Sequence, residues 1–410
     1  MSIHNEKYFC LAPFLTKRYF FNNFSVCPGE ERDHFLFNDN EITGKTIEDV
    51  INSEKYNNIR KKFLSGDGIN EMCKTCIKFT DLGFGLVREF FFNNYADNAK
   101  EILQNINQDG SIVDPKKLKF LSVTFDNFCN LKCRFCDPER SSLIMKEALP
   151  FVKVNYDVNY NMGDENFKKS LNDCREADTI QFTSAGEPFI NPKLYEILTT
   201  LIKENNINKT IMFYTNASVT KHKIYDIVEI LSKFKKVLIF ASIDGLGKHN
   251  KIIRHNLVNF STIVENLKRL KSLPNLHLTI HPTLSIYNYF NITTLHKFFI
   301  KNGLINYNDF NFIPVFNEDL SVHNLPYNLK NKLIEHFTRH IDWLKSNNYV
   351  TEKNLMGKKP IDLFKAGIEY TKHNKTFDLN EIKKRIKITD RARNLNSLVL
   401  NEIDKLFNEK

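Results

Sequence analysis

The sequence predicts an α/β fold built on a parallel sheet, and three observations carry that expectation. From Leu118 onward, six short apolar runs alternate with amphipathic helical stretches, the pattern of successive βαβ units. Several of these runs place polar residues on one alternate face, which fully buried parallel strands do not ordinarily carry. Directly behind the first run lies Cys129-Asn130-Leu131-Lys132-Cys133-Arg134-Phe135-Cys136, three thiols in C-x3-C-x2-C spacing.

Taken in order, the elements begin with a cysteine-bearing region that extends to about residue 115. It holds two aromatic, strand-like runs, Arg18-Tyr19-Phe20-Phe21 and His34-Phe35-Leu36-Phe37, with a Cys27-Pro28-Gly29 turn between them. A helix is expected over 46–64, with Thr46 as N-cap, Asp49 in its first turn and Gly66 just past its end. Asp109-Gly110 and Asp114-Pro115 mark a turn-rich boundary. Strands are then expected at 120–125, 179–183, 210–214, 237–243, 276–283 and 309–314. Ser122, Thr124 and Asp126 share one face of the first, Ser242 and Asp244 one face of the fourth, and His277, Thr279 and His281 one face of the fifth. Such faces suit a lumen that holds a polar cofactor; an open sheet with one solvated face would show the same pattern. Beyond about residue 325 the chain is polar and helical, so three regions are expected: 1–115, 116–325 and 326–410.

The cysteine triplet suits three irons of a [4Fe–4S] cluster. Clusters that only carry electrons are ordinarily held by four cysteines, so a set of three leaves one iron open, as catalytic metal sites keep an open position. The bland alternatives are a zinc site or three unrelated thiols. Structural zinc wants four ligands, and no fourth Cys or His lies nearby in the sequence.

This spacing, with aromatic Phe135 just before the last cysteine, resembles the radical S-adenosylmethionine (SAM) enzymes. The resemblance implies a partial (β/α)6 barrel and an open iron that takes the amino and carboxylate groups of SAM. It extends to Ala185-Gly186-Glu187-Pro188 after the second strand, which is similar to the Gly-Gly-Glu-Pro motif of the family, with Ala185 in place of the first glycine. There Gly186 would let the backbone approach the cofactor, and Glu187 would accept from the SAM ammonium. Thr215-Asn216-Ala217 resembles a Thr-Asn-Gly segment near the SAM methionine or ribose, which assigns Asn216 to the cofactor. Ser242-Ile243-Asp244-Gly245 with Arg254 resembles a pattern in which the serine and arginine engage SAM's ribose and carboxylate. An arginine fork suits a carboxylate. Asp244 is a candidate contact; polar capping and surface roles are the alternatives for these residues.

Cys10, Cys27, Cys73 and Cys76 are enough to ligate one closed cluster or one zinc ion. Cys10-Leu11-Ala12-Pro13-Phe14 further resembles the opening of twitch-type radical SAM proteins, which carry a shortened SPASM-like auxiliary-cluster domain. The resemblance thus implies an N-terminal auxiliary domain and a second [4Fe–4S] cluster, and Asp390-Arg391-Ala392-Arg393 is similar to that group's C-terminal pattern. His277 and His281, on one strand face, read as satisfied interior residues or as substrate or adenine contacts rather than as a metal pair. Cys174 reads as a buried, inert thiol.

Eight cysteines, seven of them assigned to these two groups, point to metal ligation in a reducing compartment and to oxygen sensitivity. No run of about 18 apolar residues appears, and Met1-Ser2-Ile3-His4-Asn5 has no signal-peptide character, so a cytoplasmic protein without a membrane partner is expected. The net charge of +10 accompanies Lys, Asn, Ile and Phe spread along the whole chain. Lys116-Lys117, Lys235-Lys236 and Lys383-Lys384-Arg385 read as solvated faces, which argues against a nucleic-acid partner. The expected function is radical SAM chemistry on a peptide or carbohydrate-like metabolite, served by an external one-electron donor of flavodoxin or ferredoxin type. The rival readings are tRNA modification, motivated by charge alone, and a non-catalytic iron–sulfur electron carrier or zinc-stabilised binding module.

Overall fold

Two rows of apolar side chains run across the strands and give them a common buried face. Leu121, Ile180, Ile211, Val237 and Leu276 are register neighbours on successive parallel strands, and Val123, Phe182, Phe213, Ile239 and Leu278 form the next row. The same hydrophobic core takes in Leu194, Ile197, Leu198 and Leu201 of the helix Pro192–Lys203, and Ile263, Leu267 and Leu270 of the helix Phe260–Lys271. Each such side chain contributes about 1.5–3 kcal/mol on burial. The computed structural model from which this arrangement is read describes residues 8–29, 44–66, 73–148, 161–182, 185–255, 258–316, 318–373 and 379–393.

Apart from a short antiparallel pair, Lys221–His222 with Tyr225–Asp226, the strands are β1 (Thr16–Phe20), β2 (Asn23–Ser25), β3 (Phe120–Thr124), β4 (Thr179–Phe182), β5 (Thr210–Thr215), β6 (Lys236–Ala241) and β7 (Leu276–Ile280), followed by β8 (Thr283–Leu284) and β9 (Ile313–Pro314). The first seven form one sheet in the order β2-β1-β3-β4-β5-β6-β7, parallel throughout except for the β1–β2 pair. A parallel bridge from Ile280 to Phe310 and the parallel β8–β9 pair carry the order onward. The result is an α/β fold with a mostly parallel central sheet and helices between consecutive strands. The run expected over 276–283 is interrupted at His281-Pro282, since proline has no N–H for a ladder. Of the run expected over 309–314, only Ile313–Pro314 is a strand, beyond the bridge at Phe310.

The cysteine-bearing region shares the central sheet, because β1 lies parallel against β3 in the register Thr16 to Phe120 through Phe20 to Thr124. Its helix-facing side is polar and fully paired. Lys17 Nζ lies 2.8 Å from Asp173 Oδ1 and 2.9 Å from Glu48 Oε1, while the Tyr19 hydroxyl donates to Asp173 Oδ2 at 2.6 Å. The second aromatic run, 34–37, lies outside the described residues.

The helix expected over 46–64 is two helices, Ile47–Ile51 and Glu54–Ser65. Thr46 does cap the first, exchanging hydrogen bonds with Asp49 in a capping box, and Gly66 ends the second at φ +75°. The break falls at Asn52, whose side chain donates to the Ile112 carbonyl at 3.1 Å and accepts from the Ile112 N–H at 2.7 Å. An asparagine that satisfies a distant backbone in this way competes with the helix ladder. Beyond the sheet lie the helices Tyr327–Ser346, Pro360–Lys372 and Leu379–Ala392.

The face of the sheet opposite the apolar rows is buried, not solvated. Ser122 and Thr279 are inaccessible to solvent, and Thr124 nearly so. The hydroxyls of Ser122 and Thr279 and the Gln181 Oε1 find no hydrogen-bond partner. Buried polar atoms in that state are unfavourable unless something polar reaches them. The lysines at 116, 117, 235 and 236, and Lys384, are exposed, as surface charges should be. No helix among the described residues is long and apolar enough to cross a membrane.

Candidate active site

Most of the site leaves the sheet at the carboxyl ends of strands, where open parallel sheets bind their ligands. The cysteine loop follows β3, Gly186 and Glu187 follow β4, Asn216 follows β5 and Ser242 follows β6. Together with Cys129, Cys133, Cys136, Phe135 and Arg254, these residues line one cavity of about 430 Å³.

The loop is shaped by its own backbone. Asp126 Oδ1 accepts from the Phe128 N–H at 2.9 Å, Ser142 N–H donates to the Asn127 carbonyl at 2.8 Å, and the Ser141 hydroxyl donates to the Leu131 carbonyl at 3.0 Å. The strand-end segment after β4 is laced to it: Glu187 N–H donates to the Phe128 carbonyl at 2.8 Å and Gly186 N–H to the Arg140 carbonyl at 2.9 Å. Gly186 adopts φ +71°, and a Cβ there would stand 2.7 Å from the Phe128 carbonyl oxygen and 3.0 Å from that of Asp126. The glycine is therefore required by the cysteine loop itself.

Glu187 lines the cavity and also ties two strand ends together. Its carboxylate is buried and already accepts three bonds, from the Thr215 hydroxyl at 2.6 Å, the Phe189 N–H at 3.2 Å and the Asn216 N–H at 2.7 Å. Burial raises its pKa, and those donors act against the rise. Glu187 thus clamps the end of β5 to the end of β4. Asn216 in turn donates to Asn130 Oδ1 at 2.9 Å, and Asn130 donates to the Ser218 hydroxyl at 2.9 Å, so the loop between the first two cysteines is tied to β5. Ala217, where the resembled segment has glycine, keeps a left-handed backbone at φ +55°.

Ser242 lines the cavity, and its N–H donates to the Thr215 carbonyl at 2.8 Å. Arg254 lines the cavity as well, with its guanidinium held between an anion and a thiol. Its Nε stands 2.6 Å from Asp244 Oδ2, its Nη1 reaches 3.7 Å from the Cys133 sulfur, and the guanidinium lies 5.6 Å from the Phe135 ring centre. Neither His277 nor His281 is among the residues lining this cavity. His277 Nε2 lies 2.9 Å from Asp309 Oδ1. His281 packs edge-on against Tyr214 and Phe240, and burial lowers its pKa to about 4. Cys174 is buried in the helix Asp164–Glu176, far from either thiol group in sequence, and burial pushes its thiol up.

The donor chemistry of the triplet fits a cationic iron–sulfur group. Burial, and after it the charge of Cys133, pushes Cys129 up to about 12 and Cys136 well above the usual thiol range. Cys133 is raised by burial, with Arg254 opposing. Three thiolates so placed need compensating positive charge, which metal supplies. The N-terminal thiols converge as well: Cys10, Cys27, Cys73 and Cys76 line a second, smaller cavity. Burial raises Cys10, and Cys27 and Cys76 raise it further. Phe316 lines both cavities and meets Phe79 edge-on at 5.5 Å. Among the described residues, no three His, Cys, Asp or Glu side chains gather as a single metal ion would need; the thiols line cavities instead.

The structure adds a contact to the C-terminal motif for which the sequence offered only a resemblance. Arg134, between the second and third cysteines, has a fully buried side chain paired with Asp390, and Arg393 Nη1 donates to the Lys132 carbonyl at 2.7 Å. Arg393 also forks onto Glu147, at 3.0 Å from Nε and 2.8 Å from Nη2 to Oε1. Asn130 and Thr215, which the sequence shows inside two of these motifs but to which no role was assigned, carry contacts that join the cysteine loop and Glu187 to the end of β5.

Comparison with known proteins places the domain. Residues 123–289 match the model of the radical SAM superfamily. Among solved structures, anSMEcpe with bound AdoMet and Kp18Cys peptide aligns at 18% identity and a TM-score of 0.40, over 56% of this chain and 61% of that one. SuiB of Streptococcus suis bound to S-adenosylmethionine aligns at 17% identity and a TM-score of 0.36, over 63% of this chain and 51% of that one. TYW1 with a lysine-pyruvate adduct bound aligns at 16% identity and a TM-score of 0.31, over 54% of this chain and 71% of that one. The chain thus spans less than two thirds of the length of the first two. No curated protein matches the chain. Residues 123–289, which contain the whole cysteine triplet and the strand ends that surround it, form a radical SAM superfamily domain.

Proposed function

We propose that Cys129, Cys133 and Cys136 hold a [4Fe–4S] cluster and that SAM binds in the cavity they share with the ends of β4, β5 and β6. The observation that carries this reading is the convergence of the three thiols with Gly186, Asn216 and Ser242 on one cavity at the carboxyl edge of the sheet. The cluster and SAM would supply reductive cleavage to methionine and a 5′-deoxyadenosyl radical, which takes a hydrogen atom from substrate. The protein's part is position and exclusion of water. Phe135 and Tyr214 offer apolar surface beside the thiols, Ser242, Asn216 and Glu187 offer polar groups, and Glu187 also holds the strand ends in place.

The four N-terminal cysteines hold, in this reading, an auxiliary [4Fe–4S] cluster in a twitch-like domain. Their convergence on one cavity supports it, and Phe316 puts that cavity next to the first. The substrate is a peptide or a carbohydrate-like metabolite entering the larger cavity, whose lining includes Thr283, Ile313, Val315 and Phe316. An external flavodoxin- or ferredoxin-type donor supplies the electron.

Electron paramagnetic resonance of the anaerobically reconstituted, dithionite-reduced protein tests the cofactor assignment. Addition of SAM changes the signal of a cluster with an open iron. A reduced cluster signal indifferent to SAM would count against it.

A further inference from the structure

The geometry points to Arg254 as a residue that sets the reduction potential of the triplet's cluster by donating to the Cys133 sulfur, with Asp244 fixing how much of the arginine's charge the sulfur feels. This rests on the reading of the triplet as a cluster site. Hydrogen bonds to cluster sulfurs and local net charge are two of the levers that set such potentials.

The arrangement holds the guanidinium in place from both sides. Arg254 is the last residue of the helix Lys248–Arg254, and the preceding Ile253 carbonyl accepts from the Arg134 N–H at 2.9 Å, so the helix end is fastened to the cysteine loop. Asp244 is immobilised on each side. Its Oδ1 accepts from the Thr283 N–H at 2.7 Å, its N–H donates to Asn250 Oδ1 at 3.1 Å, and its carbonyl accepts from Asn288 Nδ2 at 3.1 Å. With Oδ2 set 2.6 Å from Arg254 Nε, the guanidinium is held in one orientation, and in that orientation Nη1 faces Cys133. Both side chains are buried. The carboxylate balances the guanidinium, so the sulfur receives an N–H donor without a full unpaired cation behind it.

Opposite consequences follow for the two partners. Arg254→Gln removes the donor and leaves Asp244 as an uncompensated anion near the sulfur, which disfavours adding an electron. Asp244→Asn keeps an acceptor for the Thr283 N–H but leaves the guanidinium charge unbalanced, which favours adding one. A general loosening of the site would not move the two variants in opposite directions.

The test is an anaerobic redox titration of the reconstituted full chain without SAM, followed by the paramagnetic signal that responds to SAM in parallel samples; that response separates it from any second cluster. The expected result is a midpoint more negative than wild type for Arg254→Gln and more positive for Asp244→Asn. Equal midpoints, or shifts of one sign in both, overturn the inference, and weakened SAM binding in Arg254→Gln with an unmoved midpoint assigns the arginine to the SAM carboxylate instead. Should Arg254→Gln hold no cluster, Asp244→Asn decides alone, and a midpoint that is unmoved or more negative overturns the inference. A wild-type protein without a SAM-responsive signal fails at the underlying reading, whereas a normal wild-type signal without opposed shifts fails here only.

Discussion

Arg393 donates from Nη1 to the backbone carbonyl of Lys132, 2.7 Å away, and so ties the end of the helix Leu379–Ala392 to the loop that carries the cysteine triplet. The buried Arg134–Asp390 pair makes a second tie to the same loop. Removing one partner of such a pair leaves an uncompensated buried charge and costs about 3–5 kcal/mol. Asp390→Ala is therefore expected to lower thermal stability and to speed the loss of triplet iron to a chelator, measured by absorbance and iron analysis. Loss at the wild-type rate would mean that the C-terminal segment does not brace the loop.

Gly186→Ala tests the fit of the loop against the end of β4. A side chain in the left-handed region costs about 1–2 kcal/mol, and here the added Cβ would also press on two backbone oxygens that cannot swing away. The variant should lose the triplet's iron while keeping any iron bound at the N-terminal cysteines.

How much of this was legible in the sequence depends on how far each interaction reaches. The strands could be read because their outward rows are continuously apolar, and the triplet because its spacing is local. The pairing of β1 with β3 joins residues about a hundred positions apart, and nothing in Thr16–Phe20 announces its partner. The break at Asn52 was hidden for the same reason, since it is made by the backbone of Ile112. Glu187 was legible as a site residue, but its bonds to Thr215 and Asn216 were not, because they exist only after β4 and β5 have paired. The pairing of Arg254 with Asp244 and Cys133 depends likewise on where a helix end meets a loop.

The buried histidines predict a dependence of stability on pH. Burial lowers His281, His296 and His323 to about 4 from the ordinary 6.5, so the folded chain refuses protons that the unfolded chain accepts. Their contribution is intact above pH 6.5 and is lost as pH falls toward 4, by about 1.4 kcal/mol per pH unit for each group. Glu187 and Asp244, raised by burial, act in the opposite sense, so the test is a difference. His281→Gln should be less sensitive than wild type between pH 6.5 and 4 in urea unfolding, and equal slopes would contradict the assignment.

The N-terminal cysteines predict a metal count. Two [4Fe–4S] clusters give about eight irons per chain after anaerobic reconstitution, and Cys73→Ser with Cys76→Ser should reduce this to about four. Four irons with one zinc in the unaltered chain would replace the auxiliary cluster by a structural zinc site.

The central claim is that the cavity lined by Cys129, Cys133 and Cys136 performs reductive cleavage of SAM, and its most direct measurement is chromatography of anaerobic reactions containing reconstituted protein, dithionite and SAM. The account predicts 5′-deoxyadenosine and methionine accumulating with time in the unaltered chain and at background with Cys133→Ala. Equal, background amounts from both proteins, with the cluster present in the unaltered chain, would contradict it.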